Sequence, residues 1–350
     1  MSLVPYIEQI EHNEHLIFQE MQQAAQLIFN EQTPKDEIAA FLTAMSAKGE
    51  TAHEVAGLAS IMKSHAVSID APDGIYIDNC GTGGDGLHSF NISTTSAFVL
   101  AGGGILIAKH GNRKISSASG SSDVLEALGI TLLPNTTQTT DLLKTHGIAF
   151  LHAPNMHPKL KRIGEVRQAL GKPTIFNLVG PLTNPVPLKT QFVGINRPNF
   201  TTDYAEVLHM LGRERAIVVS GAQGMDEASL DGENTFVLLD HGDIIPFKLR
   251  AEDVGLTPQP LSAIRGGTPT ENAEIMRALL KGKQSVYFDT VALNAGIGFF
   301  AYGLADTMKE GIDMAKDSIL SGRAYEKLEA VVAYSEKEVQ RVMPIVEKNK

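Results

Sequence analysis

The sequence predicts an α/β protein in two parts: a small all-helical N-terminal domain, and a large α/β domain whose central, mostly parallel sheet is flanked by helices. Three observations predict it. The chain has 350 residues, more than the ~100–200 of one ordinary domain. Apolar residues recur at helical spacing up to about residue 70, with no strand pattern. Beyond that point short β-type runs alternate with helical segments, the pattern of βαβ units.

The elements follow in order. Ile7, Ile10, Leu16, Ile17, Met21, Ala24, Ala25, Leu27 and Ile28 mark the first helical stretch. Thr33-Pro34-Lys35-Asp36 reads as a helix start with proline in the first turn, followed by Ala39, Ala40, Leu42 and Met45 and stopped near Gly49. Thr51 caps a further helix reaching Ile61. Strands are expected at 75–78, 105–108, 148–151, 192–195, 216–220 and 235–239. Helices fall between them: one capped by Ser93 or Thr94, one at 123–128 closed by Gly129, one at 158–170. Thr268-Pro269-Thr270-Glu271 is a capping box with proline at the first helical position, and that helix stops at Gly282. The tail from Thr290 reads mostly helical.

Composition narrows the function classes. Hydrophobic residues make up 43% and charged residues 20%, a globular balance. No apolar run approaches the ~20 residues of a membrane helix, and the N-terminus lacks a signal-peptide pattern. Cys80 is the one cysteine, so no intrachain disulfide forms and a reducing, cytoplasmic location is expected. A net charge of −10 disfavours nucleic acid as a partner. The basic residues cluster in two islands, Lys109-His110 with Arg113-Lys114, and Lys159, Lys161, Arg162 and Arg167, which suit a small anionic ligand.

Gly81-Thr82-Gly83-Gly84-Asp85-Gly86 follows the first strand. It matches G-x-G-x-x-G formally. A dinucleotide fingerprint also needs a helix at the third glycine and an acid ~20 residues on. Here Ser89-Phe90-Asn91 intervenes and the next strand ends on Lys109-His110. Four glycines in six residues instead bring backbone N–H groups close to a ligand, beside the helix that begins around Asn91-Ile92-Ser93-Thr94. That is a phosphate or pyrophosphate site by backbone amides and helix dipole. The loop from Lys109 to Asp123 adds cations and hydroxyls able to wrap phosphate oxygens. Asp226-Glu227 follows an apolar strand, and adjacent carboxylates there suit magnesium, which takes one or two carboxylates with phosphate oxygens and water. Arg167 taken alone reads as a surface ion pair or as a carboxylate clamp.

Together these stretches resemble the anthranilate phosphoribosyltransferase family. The resemblance rests on Gly81-Thr82-Gly83-Gly84-Asp85, Asn91-Ile92-Ser93-Thr94, Lys109-His110-Gly111-Asn112-Arg113, Val166-Arg167-Gln168, Gly180-Pro181-Leu182-Thr183-Asn184-Pro185, Asp226-Glu227, and Gly266-Gly267 with Glu271-Asn272-Ala273. It covers roughly the whole chain, in the family's order. It implies a small helical domain of residues 1–72 joined by about 166–186, a large α/β domain of 73–165 and 187–350 that binds the phosphoribosyl donor, and a cleft at the hinge. It implies a pentosyltransferase of tryptophan biosynthesis acting on 5-phosphoribosyl 1-pyrophosphate and anthranilate, two Mg2+ per subunit, and a homodimer through the small domains. The donor would be held by Gly81, Gly84, Asp85, Ser89, Asn91, Ile92, Ser93 and Thr94. Lys109, His110, Gly111, Asn112, Arg113, Lys114, Ile115, Ser116, Ser117 and Ser121 would complete its site. Anthranilate would meet Gly81, Asn112 and Arg167. Ser93, Asp226 and Glu227 would ligate metal, and no side chain would serve as catalytic acid or base. Cys80, Leu87-His88 and Ser89, where threonine is common, depart from the family's pattern near the glycine loop. Two other readings remain open: a pyrimidine nucleoside phosphorylase-like enzyme on the same fold, and a non-enzymatic nucleic-acid-binding relative.

Overall fold

The computed structural model describes residues 2–113, 119–132 and 135–342. Four helices open the chain: α1 (Val4–Glu11), α2 (Phe18–Ile28), α3 (Lys35–Lys48) and α4 (Ala52–Ser64). Thr51 caps α4 in a capping box with Glu54. Glu54 is fully buried and also accepts the Leu16 amide and the Lys48 ammonium, so one carboxylate ties together three segments of the bundle.

The sheet strands and their connections follow. β1 (Tyr76–Asp78) leads through the glycine loop to α5 (Ile92–Gly102), then β2 (Leu106–Gly111), α6 (Ser121–Ala127), α7 (Thr136–His146) and β3 (Ile148–His152). Next come α8 (Ala153–Met156), α9 (Leu160–Leu170), α10 (Phe176–Val179) and a 3-10 turn at Gly180–Thr183. β4 (Thr190–Gly194), α11 (Thr201–Met210), β5 (Arg215–Ser220), β6 (Asn234–Asp240) and β7 (Asp243–Leu249) complete the sheet. The chain closes with α12 (Pro269–Leu280), α13 (Val286–Tyr302), α14 (Met308–Leu320) and α15 (Arg323–Val342).

Among the described residues the sheet has seven strands in the order β3-β2-β1-β4-β5-β6-β7. β1 to β5 are parallel, and β6 and β7 are antiparallel to their neighbours. The order reverses at β1, and open α/β sheets bind ligands at the carboxyl ends of strands beside such a switch point. The period-2 alternation of β5 divides the core. Ile217 and Val219 face a cluster built on α5 and α12–α15, while Ala216 and Val218 face a second cluster that includes the N-terminal helices. That second cluster also takes Ile163 and Val166 of α9, Phe176, Leu178 and Val179 of α10, and Leu182. α3 packs on α9, and α4 packs on α10, on the Gly180–Thr183 turn and on α11. α5 and α13 are apolar all round because both are enclosed, the former between the sheet and α13–α15.

Several sequence expectations need correction. β2 runs on through Lys109, His110 and Gly111, three residues past the expected strand at 105–108. Both charged-type side chains are buried there, with Lys109 only 2% exposed. α5 begins at Ile92, so Asn91 holds the cap position in place of Ser93 or Thr94, and its side chain is used elsewhere. β7 has no counterpart in the expected strands. It is an edge strand of mostly half-exposed and exposed residues interrupted by Pro246, which removes the alternation a strand search relies on.

Candidate active site

Asp226 and Glu227 are placed by backbone wedged between two strand ends. A Cβ on Gly194, at the end of β4, would lie 1.6 Å from the Asp226 carbonyl oxygen. One on Gly221, just past β5, would lie 2.1 Å from the Glu227 carbonyl oxygen. Only glycine admits that approach. The pair is thereby presented to the glycine loop. Gly83 N–H donates to Asp226 Oδ2 at 2.6 Å, and Thr82 N–H donates to the Gly194 carbonyl at 2.9 Å. Gly83, Gly84 and Gly86 have positive φ, and nothing crowds Gly83 or Gly86 within 4 Å. Gly81 abuts Asp226 so closely that a Cβ would sit 2.5 Å from Oδ2. Asp85 caps the loop by accepting the Leu87 amide.

The first turn of α5 forms the second wall. The Ser93 side chain lies near enough to Glu227 to favour its charged form, and Asn79 Nδ2 donates to the Ser93 carbonyl at 2.8 Å. Ile92 and Thr94 are each only 1% exposed, and the Ile92 amide donates to the Phe90 carbonyl at 2.8 Å, so both residues are enclosed at the helix start. Asn91 bridges two segments, donating to the Ser119 carbonyl and accepting from Asn272. Ser89 pairs with Arg265 in an isolated bridge.

Lys109 crosses below this wall. Its ammonium donates to the Asn79 carbonyl at 3.2 Å and offsets the charges of Asp78 and Glu227. Asp78 is fully buried, accepts from Asn184, and is pushed up to about 6 by burial. His110 donates from Nδ1 to the Gly180 carbonyl, and its ring lies 5.3 Å from that of His157. Gly111 leads to Asn112, whose amide and carbonyl both engage the Ser121 hydroxyl. The Arg113 guanidinium is held by Glu126 and Asp123. Lys114, Ile115, Ser116 and Ser117 lie outside the described residues.

Arg167 resolves one open alternative. It is half-buried, and its partners are neutral: Asn177 Oδ1 at 3.2 Å, and the face of Phe176 with the ring centroid 5.5 Å away. Among the described residues it makes no ion pair, so the surface salt-bridge reading does not hold. A partly desolvated guanidinium with neutral neighbours is suited to a planar carboxylate.

Asn79 and Gly194 carry no sequence expectation, and Asn184 enters the sequence only within the Gly180 to Pro185 motif with no role of its own. Asn184 donates to both Asp78 and the Ala108 carbonyl, and accepts the Val186 amide, fixing β1 against β2. The available signal was an Asp-Asn pair ending an apolar strand directly before a glycine loop, which buried polar groups seldom do without partners.

Burial first, then repulsion among Asp85, Asp226 and Glu227, raises the Asp226 and Glu227 carboxyls well above the ordinary carboxylate range. In an unfolded chain they ionise near ~4. The folded, metal-free chain therefore binds more protons, and linkage makes its stability fall as pH rises through neutrality. His110 and His157, pushed down by burial to about 3 and about 4, act in the opposite sense. The stability they support is present above ~6.5 and lost below it. Above ~6.5 the carboxylates thus set the slope. The Tm of the chelator-treated protein is expected to fall from pH about 6.5 to 8, and Asp226→Asn/Glu227→Gln is expected to flatten that fall. A rising Tm across the interval would contradict the electrostatics.

Residues 4–66 match the helical bundle domain of a glycosyl transferase family, and residues 73–325 match the a/b domain. An anthranilate phosphoribosyltransferase of Exiguobacterium sibiricum is 59% identical over 315 residues, 90% of this chain and 93% of the relative. One of Listeria monocytogenes is 53% identical over 333 residues, 95% and 98% of the two chains. The chain belongs to the anthranilate phosphoribosyltransferases. Solved members of the family superpose along nearly the full length. The Thermus thermophilus enzyme gives a TM-score of 0.89 at 39% identity, covering 94% of this chain and 99% of that one. The Saccharomyces cerevisiae enzyme, solved in complex with PRPP and Mg, gives 0.87 at 28% identity over 96% and 98%. Against these relatives, neither the phosphorylase reading nor the nucleic-acid-binding reading is sustained. Among the described residues no helix is long and apolar enough to cross a membrane.

Proposed function

We propose that this protein transfers the phosphoribosyl group of 5-phosphoribosyl 1-pyrophosphate to anthranilate, giving N-(5-phosphoribosyl)anthranilate and pyrophosphate in tryptophan biosynthesis. The observation that carries the reading is the Gly83 amide donating to the Asp226 carboxylate beside Glu227. The loop already holds an anionic oxygen there, and a diphosphate oxygen is the natural occupant when Asp226 turns to a cation. The yeast relative's complex with PRPP and Mg supports magnesium as that cation, and its complex with 4-fluoroanthranilate supports an aromatic acceptor. Asp226 and Glu227 fit the ion chemically: adjacent hard oxygens whose repulsion it would relieve. Among the described residues no three His, Cys, Asp or Glu side chains could hold a metal together. Phosphate oxygens, water and the Ser93 hydroxyl complete the set, with two ions per subunit.

Bound magnesium would neutralise charge on the departing diphosphate. The chain's own groups do the rest. The amides of the glycine loop and of the first turn of α5, with Lys109, hold the donor's phosphates. Arg167, Asn112 and the Gly81 backbone place anthranilate so that its amine faces the sugar carbon. An arylamine is neutral at pH 7 and needs no strong base, and His110 and His157 are held neutral by burial, so positioning dominates. The division into a bundle of 1–72 with 166–186 and an α/β body of 73–165 and 187–350, a homodimer through the bundles, and a cytoplasmic location complete the proposal.

Loss of anthranilate fluorescence on adding donor and Mg2+ is the direct assay. Arg167→Ala is expected to raise the anthranilate KM about 10–100-fold, the loss of a charge-assisted carboxylate contact, with little change for the donor. Equal effects on both substrates would remove Arg167 from the acceptor site.

A further inference from the structure

We propose that the Glu50–Arg197 ion pair is a latch that sets the acceptor wall in register with the donor floor; the proposal rests on the placement of anthranilate at Arg167. Glu50 lies in the turn between α3 and α4, with its side chain only 4% exposed, and Arg197 Nη1 reaches it at 2.8 Å. Among the described residues Arg197 is its one ion-pair partner. Each end of the pair is attached to a different half of the site.

On one side, Arg197 stands three residues beyond β4. The preceding residues are the floor of the donor site. The Gly194 carbonyl receives the Thr82 amide, the Ile195 amide donates to Val219, and the Asn196 side chain lies beside Gly84, 3.5 Å from where a Cβ would be. On the other side, α3 packs against α9, which carries Arg167, and α4 packs against α10 and the Gly180–Thr183 turn, which carry Phe176, Asn177 and the acceptor of His110. Lys35 to Glu165 and Arg162 to the Asn30 carbonyl further fasten α9 to the bundle. The acceptor wall therefore moves with the bundle, and the donor loop moves with β4.

Directional bonds join the two halves at α10 and the Gly180–Thr183 turn, where Leu178, Pro181 and Gly180 carbonyls accept from Tyr204, Gln191 and His110, whereas the contact between α4 and α11 is apolar and non-directional. A buried carboxylate with one cationic partner has a single low-energy arrangement, since withdrawing the guanidinium leaves a desolvated charge. The pair thus fixes the register at the α3–α4 turn, the end of the bundle away from the bonds at α10. Misplacement of about 1 Å between reacting groups is enough to cost a large factor in rate.

The test compares Arg197→Met, the uncharged pair E50Q/R197M and the swapped pair E50R/R197E, with Arg167→Ala as reference. Anthranilate KM is read by fluorescence, donor binding with Mg2+ by calorimetry, and folding by Tm. R197M and E50Q/R197M are expected to raise the anthranilate KM about tenfold, to leave donor affinity within about twofold, and to be partly rescued by the swap. E50Q/R197M carries no orphaned charge, so its KM separates positioning from loss of stability. An unchanged anthranilate KM in that folded variant would overturn the latch, as would donor affinity weakening in step. If Arg167→Ala also leaves the anthranilate KM unchanged, the acceptor placement itself fails; if only Arg167→Ala raises it, the latch alone fails.

Discussion

Asp226→Asn with Glu227→Gln is expected to lower kcat by about 10²–10³-fold, the scale of losing a pre-arranged electrostatic contact to developing charge. The substitution keeps size and hydrogen-bonding atoms while removing two charges. It also relieves the repulsion that raises both carboxyls, so the folded protein should be no less stable without metal. Activity and stability then move in opposite directions, which a general folding defect would not produce. The variant's residual rate should lose its dependence on magnesium concentration. Steady-state rates across a magnesium titration, with Tm measured alongside, check both halves. A titration curve matching that of the unaltered protein would remove these residues from the metal site.

Among the described glycines, Gly194→Ala is expected to be the most damaging addition of a single methyl group. Its Cβ would lie 1.6 Å from the Asp226 carbonyl oxygen and 2.3 Å from the carbonyl carbon, and both are backbone atoms that no rotamer change can move. Gly194 is buried and pairs with Val219 at the end of a parallel ladder in the interior of the sheet, so β4 cannot yield alone. Overpacking of this kind costs about 1–3 kcal/mol or more. Any soluble product should also lose activity, because the displaced segment carries Asp226. Gly164→Ala is the matched control: it lies in α9 with open space around it, and alanine should stabilise the helix by roughly 0.5–1 kcal/mol. Thermal melts and turnover of the two variants compare the sites directly. A Gly194→Ala protein with unaltered Tm and rate would show that the wedge tolerates a side chain.

These two predictions mark where the sequence could be read and where it could not. The glycine loop and Asp226-Glu227 were legible separately, because four glycines and two adjacent carboxylates each need a physical reason. Their meeting was not, since it depends on Gly194 and Gly221, glycines that read as ordinary strand-end residues until the opposing carbonyls are seen. The two-part fold was legible from the shift between helical and alternating patterns at about residue 75. The extent of β2 was hidden for the opposite reason. Lys109 and His110 look like loop residues, yet one is buried because its ammonium finds the Asn79 carbonyl and two carboxylates, and the other because it is neutral and finds Gly180. Arg167 was ambiguous from sequence because a guanidinium reads alike with or without a partner. The structure surrounds it with Asn177 and Phe176, which leaves its charge for a ligand.

Inorganic pyrophosphate titrated into the protein by calorimetry, with and without Mg2+, is the most direct measurement. Pyrophosphate should bind with Mg2+ and much more weakly without it, and Asp226→Asn/Glu227→Gln should abolish the difference while Arg167→Ala leaves binding intact. Binding of equal strength in chelator and in Mg2+, or loss of binding in Arg167→Ala alone, would contradict a leaving group held jointly by loop amides and divalent metal.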